Sequence, residues 1–129
     1  MAKTAKRQTG DIGEDIACKY LINKGFSVVW RNYLKPWGEI DIVATRQLAG
    51  AKKLYFVEVK TVTREPGQGY RPEENVHPAK MRRLHRAIQT YLMDHKVSGE
   101  TPWQIDVACV YLNLDTHKAR VEMLENVIL

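Results

Sequence analysis

The sequence predicts an α/β domain: a mixed β-sheet flanked by helices, in the order α-β-β-β-α-β-β. Three observations carry that expectation. Gly38-Glu39-Ile40-Asp41-Ile42-Val43 and Phe56-Val57-Glu58-Val59-Lys60 alternate apolar and polar residues with the two-residue period of a strand. Met81, Leu84, Ile88, Tyr91 and Leu92 recur at the spacing of an amphipathic helix. A length of 129 residues suffices for one hydrophobic core but not for two.

Each element has its own warrant. Residues 1–9 read as a flexible basic arm, leaving 10–129 as a single domain. A helical pattern covers 11–24 and is closed by Gly25 in a C-terminal capping position. Gly13, Ala17, Tyr20 and Leu21 form its stripe; Ile12 and Ile16 lie on another face, so both sides of the helix are expected to be covered. A first strand follows at 26–32. Pro36-Trp37-Gly38 supplies a turn into the second strand. A loop at 47–53 is expected before the third strand at 54–60. Residues 61–78 are rich in Gly, Pro and charge, and their place directly after the third strand suits a substrate-facing flap. The best helix spans 79–95. Strands at 103–112 and 119–124 finish the chain. Three early strands joined by short turns imply an antiparallel meander, and the strand after the second helix can join it by a crossover.

Composition narrows the function classes. No apolar run approaches the length of a membrane span, and the basic N-terminus lacks the apolar stretch of a secretory signal. A cytoplasmic protein is expected, with no membrane contact. Cys18 and Cys109 lack metal-ligand spacing and read as buried reduced thiols. A net charge of +5 suggests an anionic partner.

The chemistry resides in the carboxylates of the two clear strands. Glu39 and Asp41 are expected on one face, with Ile40 and Ile42 on the other. On the next strand Glu58 and Lys60 share a face. If the strands are neighbours, Asp41, Glu58 and Lys60 converge. Charges in a half-buried sheet are costly unless paired or bound to metal. Mg²⁺ (or Mn²⁺) suits the set, since such an ion takes one or two carboxylates and keeps room for phosphate oxygens. Asp41 and Glu58 would be ligands, with the Val59 carbonyl as a third. Lys60, about 7 Å along the strand from Glu58, could orient the attacking water or neutralise the phosphate. Glu14 could complete the site. The bland alternatives are a solvated sheet face for Glu58 and Lys60, a strand-start charge for Glu39 and a helix-surface residue for Glu14.

Asp41 followed by Glu58-Val59-Lys60 resembles the D…(D/E)xK pattern of the PD-(D/E)xK nuclease superfamily. Gly10-Asp11-Ile12-Gly13-Glu14, Arg31-Asn32-Tyr33, Gly38-Glu39-Ile40-Asp41 and Phe56-Val57-Glu58-Val59-Lys60-Thr61 together look like the small bacterial YraN-like family, which is related to archaeal Holliday-junction resolvases. The resemblance covers about residues 8–127. It implies a restriction-endonuclease-like fold with Glu14, Asp41, Glu58 and Lys60 in the active-site positions. Three departures stand out: Ile40 replaces the Pro of the motif, Val62-Thr63 intervene before Arg64, and Gln104 precedes Ile105-Asp106 where a basic residue is common. The last two bear on phosphate contacts rather than on metal binding.

Lys80, Arg82, Arg83 and Arg86, with Arg64 and the arm residues Lys3, Lys6 and Arg7, are candidates for nucleic-acid phosphates. Trp37 and Tyr70 are candidates for base stacking. Trp30 and Trp103 are expected in the core, and Asp106 is expected to be structural. The leading expectation is a metal-dependent endonuclease hydrolysing phosphodiester bonds of DNA, on branched substrates and as a homodimer if the junction is symmetric. A non-catalytic nucleic-acid-binding module, or an interaction protein that keeps the fold, is the alternative.

Overall fold

A computed structural model of the chain describes residues 4–63 and 77–127. Seven elements follow in the expected order: α1 (Ala5–Asn23), β1 (Ser27–Lys35), β2 (Gly38–Leu48), β3 (Ala51–Val62), α2 (Pro78–Asp94), β4 (Trp103–Asn113) and β5 (Lys118–Leu124). The strands form one sheet in the order β1-β2-β3-β4-β5. Neighbours are antiparallel except β3 and β4, which are parallel. That exception follows from α2, the crossover that a parallel pair requires.

Helix α1 begins well before the apolar periodicity does. Thr4 caps it, its hydroxyl accepting a hydrogen bond from the Arg7 N–H at 3.2 Å. Residues 5–9, expected in a flexible arm, therefore form the first turns of the helix. Its end conforms to expectation: Gly25 takes a φ of 95°, and the Phe26 N–H reaches back to the Leu21 carbonyl. The buried face comprises Gly13, Glu14, Ala17, Cys18 and Leu21. Ile16 packs against the same cluster, while Ile12 is exposed, so the second covered face does not form.

The expected loop at 47–53 is a tight hairpin. Leu48 pairs with Ala51, and the two residues between them, Ala49 and Gly50, have φ of 53° and 81°. Positive φ at both central positions is the signature of a turn that matches strand twist. Strand β1 carries a bulge: Val28 pairs with Ala44 and Trp30 with Val43, leaving Val29 extra. At this sheet edge Trp30 is 44% exposed, which corrects its expected place in the core. Its ring meets Tyr33 and His95 edge-on.

The two faces of the sheet hold separate cores. Helix α2 packs Met81, Leu84, Ala87, Ile88 and Tyr91 against Tyr33, Ile40, Val43, Leu54 and Phe56. Helix α1 packs Ala17, Cys18 and Leu21 against Ile42, Ala44, Tyr55, Val57, Ala108 and Val110. Trp103 packs at the margin of the α2 side, near its expected place. Cys18 and Cys109 are buried cysteines outside any disulfide, as expected. Asp106 is buried and accepts bonds from the Gln104 amide and the Asn126 N–H, a structural role pinning the C-terminal segment. Among the described residues no helix is long and apolar enough to cross a membrane.

Two glycines set how closely the helices approach. A Cβ on Gly13 would overlap the Thr61 hydroxyl, so α1 lies directly on β3. A Cβ on Gly38 would overlap the Arg83 carbonyl, so the start of β2 lies directly on α2. Both contacts draw a helix toward the same end of the sheet.

Candidate active site

That end is where β2 and β3 part. Their ladder stops at Ile42↔Val57, and the next residue outward on β2 is Asp41. Its Oδ2 accepts the Val59 N–H at 2.7 Å, so a side chain takes the place of a backbone partner. The strict alternation expected of β2 breaks here: Ile40 joins the α2-side core and Ile42 the α1-side core. Asp41 thus lies in the gap between the strands rather than on a face shared with Glu39.

Glu58 is 7% exposed, on the side of β3 that carries Leu54 and Phe56 into the α2-side core. Its Oε1 meets the Lys80 Nζ at 2.8 Å. Lys60, two residues on, is half-buried and has no ion pair among the described residues. Glu14 reaches the same region from α1. Arg31 of β1 holds it, donating from Nε at 3.2 Å and from Nη2 at 3.1 Å, and also bonds Asp15 at 2.8 Å.

These side chains open onto one groove of about 1230 Å³. Glu14, Asp41, Glu58, Val59, Lys60 and Lys80 line it, together with Asn32, Glu39 and the first turns of α1, including Lys6 and Arg7. The structure therefore brings together Glu14, Asp41, Glu58, Val59 and Lys60. It does not bring Arg82, Arg83 and Arg86 with them: these are exposed on α2 and do not line the groove. Lys80, expected on the face of those arginines, turns onto Glu58 instead. Trp37, expected near the cleft, is tied to α2 by its indole N–H donating to the Thr90 hydroxyl. Arg64 and Tyr70 lie outside the described residues.

The electrostatics are those of an under-neutralised acidic site. Burial, and next the neighbouring Glu58, push the Asp41 carboxyl up to about 8, against the lowering effect of the Val59 N–H. Asp41 is thus protonated at neutral pH unless a cation joins it. Burial also raises the Glu14 carboxyl, with Arg31 opposing.

A divalent ion fits the donor chemistry on two carboxylates and a backbone oxygen. In a strand, the N–H and C=O of one residue address the same neighbour. The Val59 N–H faces Asp41, so its carbonyl addresses the same gap. No group of three or more His, Cys, Asp or Glu side chains suited to a metal occurs among the described residues. Waters would have to complete the shell, as they usually do for Mg²⁺.

Arg31 and Asn32 were not identified as site residues from the sequence, whereas Lys6 and Arg7, candidates for phosphate contact, do line the groove. Arg31-Asn32 lay within a motif of the family resemblance, and that was the available signal. The sequence did not show that Lys6 and Arg7 are helical, because the helix that carries them begins in a polar stretch.

Residues 13–110 match the family described as Uncharacterised protein family UPF0102. The chain belongs to that family. A UPF0102 protein of Campylobacter lari is 38% identical over 115 residues, covering 89% of this chain and 88% of the relative. One from Roseiflexus castenholzii is 34% identical, covering 91% and 90% respectively. One from Helicobacter hepaticus is 36% identical, covering 71% and 76%. The matched UPF0102 span includes Glu14, Arg31, Asp41, Glu58, Lys60 and Lys80; Lys6 and Arg7 precede it.

Proposed function

We propose that this UPF0102 chain is a divalent-metal-dependent endonuclease that hydrolyses nucleic-acid phosphodiester bonds. The observation that carries the reading is the convergence of Asp41 and Glu58 at the end of the β2–β3 ladder, with Lys60 on the same groove. The likeness of Asp41…Glu58-Val59-Lys60 to the PD-(D/E)xK pattern supports it.

Asp41, Glu58 and the Val59 carbonyl would hold Mg²⁺ or Mn²⁺. When bound, the ion supplies Lewis-acid activation of the phosphate and of the attacking water. Every other part belongs to the chain. Lys60 holds or accepts a proton beside the water and offsets charge on the phosphate. Glu14, oriented by Arg31, borders the site. Lys6 and Arg7 on the groove wall suit the flanking phosphates. DNA is the proposed substrate, and a symmetric four-way junction would call for a two-fold dimer with two such sites.

The ion pair between Lys80 and Glu58 favours a second reading, since it neutralises Glu58 without a metal. On that reading the chain is a nucleic-acid-binding module that does not cut. One experiment separates them. The protein is incubated with labelled four-way junctions, linear duplex and single strands in Mg²⁺, Mn²⁺ or EDTA, beside Glu58→Ala. The nuclease reading expects metal-dependent cleavage that falls by at least about a hundred-fold in the variant. Binding without cleavage, equal in both proteins, would sink it.

A further inference from the structure

Lys80 stands where helix stability gives no reason for it. It occupies the first turn of α2, two residues after Pro78, and that turn contains no acidic residue. The N-terminal end of a helix dipole disfavours a cation. His77, at the capping position, makes no side-chain cap bond. What accounts for the lysine is Glu58: its ammonium lies 2.8 Å from a carboxylate whose side chain is only 9% exposed, while the lysine side chain itself is 36% exposed. A buried carboxylate needs a counter-charge, and α2 delivers one.

The pairing has a direct consequence. Lys80 holds Oε1 of Glu58, so a divalent ion arriving at that carboxylate meets an ammonium already bound to it. Its neighbour Met81 is fully buried and anchors the turn, whereas the lysine stem is a flexible four-carbon chain about a third exposed. The ammonium can leave Glu58 without repacking the helix.

We propose that Lys80 is a tethered counter-ion that a divalent metal must displace from Glu58, and that displacement frees a second ammonium beside Lys60 for a substrate phosphate. The inference rests on the nuclease reading and adds to it: metal entry and phosphate binding are coupled through one lysine. Lys80 competes with the metal before substrate arrives and assists once both are present.

The test uses the full chain without nucleic acid first. Mn²⁺ is titrated calorimetrically into the wild type, Lys80→Ala and Lys80→Gln. Removing the competitor should tighten Mn²⁺ binding by about three- to ten-fold in both variants. Lys80→Gln keeps a stem able to hydrogen-bond Glu58 and answers for Lys80→Ala should that variant fail to fold. Affinity for a labelled duplex is then measured in Ca²⁺ and in EDTA. The variants should bind more weakly than the wild type in Ca²⁺ and equally in EDTA. Mn²⁺ affinity unchanged or weakened in the variants, with the wild type binding normally, would overturn the role of Lys80 and leave the nuclease reading standing. Failure of every protein to bind Mn²⁺ would overturn both.

Discussion

Asp41 has two roles that conflict in the absence of a cation. It terminates the β2–β3 ladder by accepting the Val59 N–H, and it lies close enough to Glu58 for the two carboxylates to repel. Folding raises its carboxyl from the ordinary 3.8 to about 8. Between those values the folded chain keeps a proton that the unfolded chain has released. Stability from this group therefore falls as pH rises through that window and levels off above it. Asp41→Asn keeps an oxygen for Val59 and has no proton to lose. In EDTA its Tm advantage over the wild type should widen between pH 5 and pH 8 and then plateau, while its Mn²⁺ binding is lost. Thermal unfolding at pH 5, 7 and 9 checks this; a pH-independent difference would refute it. The strand periodicity made Asp41, Glu58 and Lys60 legible because each lies on a short, strongly patterned segment. The in-plane turn of Asp41 was not legible, since a ladder that stops early leaves no mark on either strand alone. The partners Arg31 and Lys80 were hidden for a related reason: Arg31–Glu14 and Lys80–Glu58 join elements far apart in sequence.

At the scale of elements, Gly13 of α1 lies directly against Thr61 of β3. In an isolated helix, Gly→Ala would add up to about 1 kcal/mol of stability. Here the new methyl would collide with the Thr61 side chain. Gly13→Ala should instead destabilise the protein by about 1–3 kcal/mol and move Glu14 away from the groove. Thr61→Ala in the same chain should recover part of the loss. Denaturant unfolding of the single and double variants measures it, and a stabilised Gly13→Ala would contradict the packing. The element order and both helix stripes were readable from periodicity, yet boundaries failed where no apolar residue marks them. Residues 5–9 are helical without an apolar stripe, held by the Thr4 cap. Ala49-Gly50 makes a two-residue hairpin turn with alanine where asparagine is the usual signal. Trp30 looked like core by type, but a bulge on an edge strand leaves it half in solvent.

For the molecule as a whole, the net charge of +5 matters less than where it sits. Lys6, Arg7, Lys60 and Lys80 line the groove, while Arg82, Arg83 and Arg86 are outside it. If nucleic acid runs along the groove, Lys6→Ala/Arg7→Ala should lower affinity for duplex DNA and reduce the salt dependence of binding by about two phosphate contacts. Arg82→Ala/Arg86→Ala should change both less. Fluorescence anisotropy across a salt series decides, and the opposite ranking would move the interface to the outer face of α2. The parallel joint in the sheet bears on how this groove comes into being. Strands β1, β2 and β3 close through two-residue turns, whereas Leu54 meets Trp103 only across the whole of α2. Loop-closure entropy favours the near pairings over the far one. Asp41 and Glu58 thus belong to a hairpin favoured to form early, and the ammonium of Lys80 to the helix of the later crossover. Glu58 and the ammonium that pairs with it have different birthdays along the folding path.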